Sequence, residues 1–127
     1  MGYYSNQMRY KGIKAKAWEA VKKSVRRREK HCYTCTKKNL VGMNAHAGHY
    51  KPVAIVGSNN VWSWHPTFIH LQCGHCNGAG QGMALEYKAR LIKDYGEEVV
   101  EEFESSYRKP NPVKNWQEVI HTFDLLK

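Results

Sequence analysis

Hydrophobic residues recur at helical spacing near the start of the chain. Trp18, Val21 and Val25 lie three or four residues apart, and Lys and Arg side chains occupy the other faces. Apolar positions repeated at this interval lie on one side of an α-helix. The pattern predicts a basic helix over residues 14–30, with its apolar stripe turned towards a core.

The second half of the chain shows the same periodicity three more times. A helix near 83–95 places Leu85, Ala89 and Ile92 on one face, and Gly96 ends it. A second helix follows, and a break that contains two prolines separates it from a third. The apolar residues of these two helices are Val99, Val100, Phe103 and Tyr107, then Trp116, Val119, Ile120 and Phe123.

Residues 44–71 lack helical periodicity and are rich in β-branched and aromatic side chains. The runs 53–56 and 61–64 flank Gly-Ser-Asn-Asn, which is a turn signal. We therefore expect a β-hairpin or a long β-loop in this part of the chain.

The chain is strongly basic, with 20 Lys and Arg against 11 Asp and Glu among 127 residues and a net charge of +9. Such a surplus on a small domain favours a nucleic-acid partner, although solubility or an acidic protein partner would also account for it. The expected phosphate contacts are Lys22, Lys23, Arg26, Arg27, Arg28 and Lys51. The alternative for this set is a solvated helix face. Tyr50, Trp62 and Trp64 could stack on unpaired bases or fill the core.

The first ten residues contain no apolar run followed by a cleavage site, and no apolar stretch reaches the length of about 18 residues that a membrane helix needs. The sequence therefore predicts a protein of the cytoplasm that makes no membrane contact. In that compartment, paired cysteines favour metal binding over disulfides.

The four cysteines form two CxxC pairs, Cys32 with Cys35 and Cys73 with Cys76. A CxxC turn delivers two thiolates, and two such turns complete a tetrahedral zinc site. A redox CxxC or two disulfides are the alternatives, but the βαβ setting of a redox motif is absent. A zinc ion with four thiolates has no open position, so the site would be structural.

Five of the seven histidines lie between residues 46 and 75. His46 and His49 flank two small residues, which suits a turn or bulge that aims both imidazoles at one point, and Asn77 follows a cysteine directly. One histidine as base, with His and Asn as metal ligands, would suffice for phosphodiester hydrolysis. His65, His70 and His75 are expected to be ordinary packed or surface residues.

Several short motifs together resemble the NinG recombination proteins of lambdoid phages and, in outline, phage recombination endonuclease VII of the His-Me finger (HNH) superfamily. These motifs are Ala-Gly-His-Tyr at 47–50, Gln-Cys-Gly-His-Cys-Asn at 72–77, and Tyr87, Leu91, Tyr95, Gly96 and Val99. The resemblance covers residues 32–103. It implies a ββα-metal site, in which a hairpin carries the base and a helix carries a metal ligand.

Position by position, the resemblance implies that His49 is the general base and that Asn77 is a ligand of a catalytic divalent ion. His46 stands where these proteins usually have a metal-binding Asp, and the four cysteines match the structural zinc ligands. Since imidazole replaces a carboxylate, we expect Mn²⁺, Co²⁺ or Ni²⁺ to suit the site better than Mg²⁺. Phe68 occupies the place of an Asn that orients the base in many HNH proteins, and His65, Asn59 or Asn60 could take over that role.

These observations predict a single α+β domain over 1–127. It would consist of the basic helix 14–30, a zinc-stapled ββα-metal core over 32–95 and C-terminal helices over 97–127. The expected activity is metal-dependent cleavage of double-stranded or branched DNA, with RNA also open as a substrate. The helices after residue 83 could form a homodimer. A zinc-dependent DNA-binding accessory protein without catalysis is the main alternative, and a zinc-stapled interaction protein is the weaker one.

Overall fold

A computed structural model of the chain describes residues 10–127. The expectation that no leader segment precedes the domain falls almost entirely on residues 1–9 and so lies outside this range. The elements are helices α1 (Gly12–Arg28), α2 (Val53–Val56), α3 (Gly74–Asn77), α4 (Ala84–Tyr95), α5 (Glu97–Ser106) and α6 (Trp116–Leu125), and strands β1 (His46–His49) and β2 (Ile69–Gln72). This is a small mixed α+β architecture, as the sequence predicts.

Helix α1 confirms the predicted basic helix, two residues earlier than expected at each end. Trp18, Val21 and Val25 are buried along its inner face. Helix α6 packs along α1. Residues of both helices form one core together with the buried residues Ile69 and Leu71 of β2.

The two strands pair antiparallel, with His46 opposite Gln72 and His49 opposite Ile69. The predicted hairpin of residues 53–56 and 61–64 is wrong, and the alternative, a long β-loop, is closer, because β1 and β2 pair at the two ends of a long connection. Pro52 leads into the short helix α2, and 61–64 form one 3₁₀ turn that the side chain of Asn60 caps by accepting a hydrogen bond from the Trp62 N–H. Local hydrogen bonding to these turn residues therefore outweighs the β propensity of the valines.

Helix α4 confirms the predicted range, but its buried face is not the expected one. Leu85 is 82% exposed, and Ala89 is exposed as well, whereas Tyr87 and Leu91 are fully buried. The Tyr87 hydroxyl donates a hydrogen bond to the Gly48 carbonyl oxygen over 2.7 Å, which allows this polar ring to enter the core.

Helix α5 packs against α4 and completes a second core cluster around Phe68, Val100 and Phe103. Gly96, with φ +96°, lies between the two helices as the sequence predicts. Within residues 10–127, the helices are too short or too polar to cross a bilayer.

Candidate active site

The four cysteines come together at one point, where each CxxC turn meets the other. Their sulfur atoms all lie within 4.8 Å of one another, and the sulfurs of Cys35 and Cys73 are 3.7 Å apart. Zinc–sulfur bonds of about 2.3 Å in a tetrahedron give sulfur–sulfur edges of about 3.8 Å, whereas a disulfide is about 2.05 Å long. The cluster therefore fits a structural metal ion such as zinc and does not fit disulfides.

Hydrogen bonds around Cys32 favour its thiolate, whereas burial raises the pKa of Cys35 and of Cys76. Burial raises the pKa of Cys32, but hydrogen bonds from the Thr34 hydroxyl and from backbone amides, including that of Cys35, outweigh it and bring the pKa to about 6. Backbone amides also point at sulfur within each turn, from Cys35 to Cys32 and from Cys76 to Cys73, both over 3.5 Å. These contacts prepare the sulfurs to bind a cation.

His46 and Asn77 lie side by side at the start of β1 and the end of α3. The Nε2 of His46 lies 2.7 Å from the Met43 carbonyl oxygen, so it carries the proton and donates. Nδ1 then accepts a hydrogen bond from the Asn77 amide over 3.1 Å. Asn77 is only 4% exposed. With its amide turned so that Oδ1 points towards His46, the pair would offer one nitrogen and one oxygen to a divalent ion.

His49 lies at the other end of β1, half-buried under helix α1. Its ring stacks on Trp18 with centroids 5.7 Å apart, and its Nε2 donates to the Ser63 carbonyl oxygen over 2.8 Å. This bond leaves the lone pair on Nδ1. Burial lowers the pKa of His49 to about 4, against the opposing effect of the Ser63 carbonyl, so the ring is neutral at physiological pH.

Ser63 is the orienting residue that sequence reasoning missed. The expected candidates were His65, Asn59 and Asn60, and the acceptor is instead a backbone carbonyl. Asn60 contributes indirectly, because its own carbonyl accepts from the Ser63 N–H over 3.0 Å and so helps to hold the turn. No side-chain signal in the sequence marks a backbone acceptor.

The two histidines do not converge as expected. They belong to a regular antiparallel strand rather than a turn or bulge, and successive side chains of a strand point to opposite faces. His46 lies opposite Gln72 and contacts Asn77, whereas His49 lies opposite Ile69 and contacts Trp18. The structure therefore brings His46 and Asn77 together and places His49 on the other side of β1.

The other three histidines of the central segment have ordinary roles, as the sequence predicts. His70 is buried and bonded to Glu29 over 2.7 Å. His65 stacks on Trp62 and accepts from the Thr67 amide. His75 is exposed on the surface.

The three consecutive arginines are occupied within the chain. Arg26 donates to the Ala45 carbonyl over 3.0 Å, and Arg27 donates to the carbonyls of Phe123 and Leu126 at the end of α6. Arg28 donates to the hydroxyl of Ser24. Part of each guanidinium therefore holds the fold, which leaves fewer of its donors for phosphate.

The remaining expected DNA contacts vary in their availability. Lys22 pairs with Glu19 over 2.5 Å, Lys23 is exposed, and Lys51 lies over the Tyr50 and Tyr107 rings. Tyr50 and Trp64 are about 95% buried, and Trp62 packs against Phe103. Tyr50 and Trp64 therefore fill the core and offer no surface on which bases could stack, whereas Trp62 is partly buried.

The sequence model of the family described as Bacteriophage Lambda NinG protein matches residues 7–123. The chain belongs to the NinG family. The match includes most of the N-terminal segment and helix α6, so it extends well beyond the 32–103 over which the motifs alone resemble the family. The four cysteines, His46, His49 and Asn77 all lie inside it.

Two curated NinG relatives show the extent of this similarity. Protein ninG of Escherichia phage lambda is 30% identical over 95 residues, which is 73% of this chain and 44% of the relative. Protein ninG of Enterobacteria phage H19B is 29% identical over 93 residues, 73% of this chain and 45% of the relative. The chain thus spans less than half the length of these phage proteins. No solved structure matches it.

Proposed function

We propose that this NinG-family chain is a metal-dependent endonuclease that hydrolyses phosphodiester bonds in DNA and has an HNH-type (His-Me finger) site. The hydrogen bond from His49 Nε2 to the Ser63 carbonyl carries the proposal, because it fixes the tautomer that a general base needs. With its lowered pKa, His49 keeps an unprotonated Nδ1 at neutral pH. The net charge of +9 suits a polyanionic substrate.

In this mechanism Nδ1 of His49 removes a proton from a water molecule. The water oxygen attacks phosphorus in line, and the bond from phosphorus to the 3′-oxygen breaks. The 3′-oxygen leaves with the bonding electron pair and takes a proton from solvent, so the products carry a 5′-phosphate and a 3′-hydroxyl. A divalent ion held by His46 and Asn77 would supply stabilisation of negative charge on the phosphate and the leaving oxygen.

The thiolate cluster has a structural role in this proposal. It joins the knuckle before β1 to the knuckle after β2. A saturated four-thiolate ion offers no position to a substrate, so it takes no part in the reaction. It keeps the two strands and α3 together, and with them the three residues that would do the chemistry.

A second function, zinc-dependent DNA binding without catalysis, is favoured by the spacing along β1. Residues 46 and 49 are three positions apart in an extended strand, which separates their Cα atoms by about 10 Å. Their side chains also leave on opposite faces. A base and a metal ion that act on one phosphate must lie much closer to each other. Catalysis therefore requires the end of β1 to rearrange, for instance when substrate binds, so that His49 and His46 approach the same phosphate.

Cleavage assays separate the two functions. Zinc-loaded protein is incubated with supercoiled plasmid, a synthetic four-way junction and an RNA duplex, each with Mg²⁺, Mn²⁺ or Ni²⁺. The endonuclease proposal predicts nicked plasmid, with Mn²⁺ or Ni²⁺ more effective than Mg²⁺ because His46 replaces a carboxylate. Absence of cleavage with every metal, together with tight DNA binding, would establish the accessory role instead.

The family likeness favours branched DNA, and symmetric cleavage of a four-way junction needs two active sites related by a two-fold axis. The junction substrate therefore also tests for a homodimer. Paired cuts within one complex would indicate two sites, and single nicks would indicate a monomer. Sedimentation equilibrium of the same preparation gives the mass directly.

A further inference from the structure

A pocket of about 700 Å³ opens on the surface where the end of α1, the first cysteine knuckle and the last turn of α4 meet. Buried His70 and Tyr33 are among its lining residues. Its basic lining residues include Arg28, Lys30, Lys38 and Arg90. His46, His49 and Asn77 do not line it, so it is a different place from the proposed cleavage site.

The two carboxylates in this pocket are already used inside the protein. Glu29 accepts from His70 Nδ1 over 2.7 Å with one oxygen and from the Leu71 amide over 3.0 Å with the other. Asp94 accepts from the Tyr33 hydroxyl over 2.8 Å and from Arg90 over 3.1 Å. Neither carboxylate forms an ion pair with Lys30 or Lys38, and the Lys and Arg side chains that line the pocket outnumber the Asp and Glu side chains.

Two lysines of the pocket have no carboxylate partner among the described residues, and a nearby arginine has only a long ion pair. Lys30 and Lys38 are exposed, and neither takes part in an ion pair within residues 10–127. The nearest carboxylate oxygen to Arg28 belongs to Glu29, 3.8 Å from the guanidinium and already bonded to His70. The concave surface is therefore positive, which attracts an anion.

The rings in the pocket show which chemistry it can offer. Nδ1 of His70 lies 2.7 Å from a Glu29 oxygen and Nε2 lies 2.8 Å from the Thr67 carbonyl, so both ring nitrogens are engaged within the protein. The Tyr33 ring is covered by His70 at 3.9 Å and by Arg90 at 4.3 Å. Two groups that close to one ring lie on opposite faces, so a nucleobase cannot stack on Tyr33. The pocket offers positive charge and N–H donors, which suit a phosphate.

We propose that this pocket binds a backbone phosphate of a nucleic-acid strand, with Lys30 and Lys38 as the principal contacts. The pocket would anchor DNA outside the cleavage site and so fix where a strand enters. This inference rests on the proposed function only for the identity of the polymer as DNA. The same charges could instead balance the thiolates around the zinc ion, since Lys30 and Lys38 flank the first knuckle, and the experiment separates the two roles.

The test compares two double variants with the same net charge. Lys30→Gln with Lys38→Gln removes two of the three lysines that line the pocket, and Lys109→Gln with Lys114→Gln removes two exposed lysines between α5 and α6. Binding of a fluorescent DNA duplex is measured by anisotropy at several salt concentrations, without added divalent metal. Since each phosphate contact contributes about 0.9 to the slope of log K against log salt, the pocket variant, which loses one phosphate contact, should lose about one unit of slope and at least about tenfold in affinity. The control should change by less than about threefold, because it loses long-range attraction only.

The zinc content of the variants and competition by other anions are measured as well. Zinc content should be unchanged in the pocket variant, and affinity lost together with zinc would overturn the proposal. Equal losses in the two double variants, or a wild type that binds no DNA, would overturn it as well. Inorganic phosphate and a polyglutamate peptide are titrated as competitors. If phosphate or polyglutamate binds to the pocket while the pocket variant binds DNA as tightly as the wild type, the pocket is not a nucleic-acid site.

Plasmid nicking by the same proteins distinguishes this proposal from the proposed function. If the pocket lysines are needed for DNA binding but the wild type does not nick plasmid, the endonuclease proposal is overturned and the pocket proposal stands. If the wild type nicks plasmid but the pocket variant binds DNA as tightly as the wild type, the pocket proposal is overturned and the endonuclease proposal stands.

Discussion

Gly48 lies directly against the side chain of Gln72, and a β-carbon at position 48 would stand 1.9 Å from the Gln72 Oε1. Gln72 is fully buried and cannot move aside easily, because its amide donates to the Thr34 hydroxyl and to the Gly82 carbonyl. Its Oε1 has no conventional hydrogen-bond donor among the described residues. The glycine Cα–H points at this oxygen and provides a weak contact in place of one.

Gly48→Ala is therefore expected to lower the free energy of unfolding by about 2–3 kcal/mol, since an added methyl group collides with a fixed side chain. Urea unfolding of Gly48→Ala, Gln72→Ala and the double variant measures the coupling. Removing Gln72 removes the collision, so the double variant should lose at least about 1 kcal/mol less than the sum of the single variants. Additive losses would mean that the two residues do not constrain each other.

The low pKa of His49 makes stability depend on pH in a defined window. Burial lowers the pKa to about 4, from 6.5 for an exposed histidine. As pH falls below about 6.5, the unfolded chain takes up a proton that folded His49 refuses until about pH 4. The stabilisation is complete above that window and is lost on acidification through it, by up to about 3 kcal/mol.

His49→Gln should remove this part of the pH dependence, whereas His75→Gln, at an exposed histidine, should retain it. The measurement is the free energy of unfolding of both variants and the wild type at a series of pH values. Parallel curves for all three proteins would show that His49 titrates normally.

The cysteine cluster predicts one tightly bound zinc ion per chain. Structural zinc contributes about 10 kcal/mol or more to folding of small zinc domains, which is comparable with the whole stability of a domain. Cys73→Ser, or prolonged chelation, should therefore abolish cooperative unfolding as well as metal binding. Lys37→Ser, beside the first knuckle, is the control. A metal-free chain with a native circular dichroism spectrum would contradict the assignment.

Arg27 is expected to stabilise the packing of α6 on α1, whether or not it also binds DNA. Its guanidinium caps the C-terminal end of α6 through two carbonyls. Arg27→Ala should cost about 1–2 kcal/mol of unfolding free energy because it removes both charge-assisted bonds. Lys23→Ala removes the same charge from an exposed position and should cost much less. Equal costs would place Arg27 outside the packing of α6.

Much of the helical framework and the cysteine cluster could be predicted from the sequence, because each depends on local spacing. The strands could not. His-Ala-Gly-His has little β propensity, and it forms β1 by pairing with a segment beyond a long loop that the cysteine knuckles enclose. The valine-rich runs instead form a short helix after Pro52 and a 3₁₀ turn after Asn60. The buried face of α4 was missed because Tyr87 enters the core only by virtue of the Gly48 carbonyl.

The candidate site was predicted in part for the same reasons. Asn77 and His46 meet because the second cysteine knuckle holds α3 beside β1, and the motif spacing indicates this. The separation of His49 from them follows from the regular register of the sheet, which spacing alone did not reveal. The role of Ser63 depends on its carbonyl oxygen, which every residue type possesses.

The central claim is that His49 is the base of a DNA endonuclease, and the nicking rate of His49→Ala with Mn²⁺ tests it most directly. The comparison uses zinc-loaded wild type, His49→Ala and His75→Ala on supercoiled plasmid. His49→Ala should nick at least about a hundredfold more slowly, as expected for loss of a general base, and His75→Ala should match the wild type. Metal-dependent nicking that survives in His49→Ala at the wild-type rate would contradict the account.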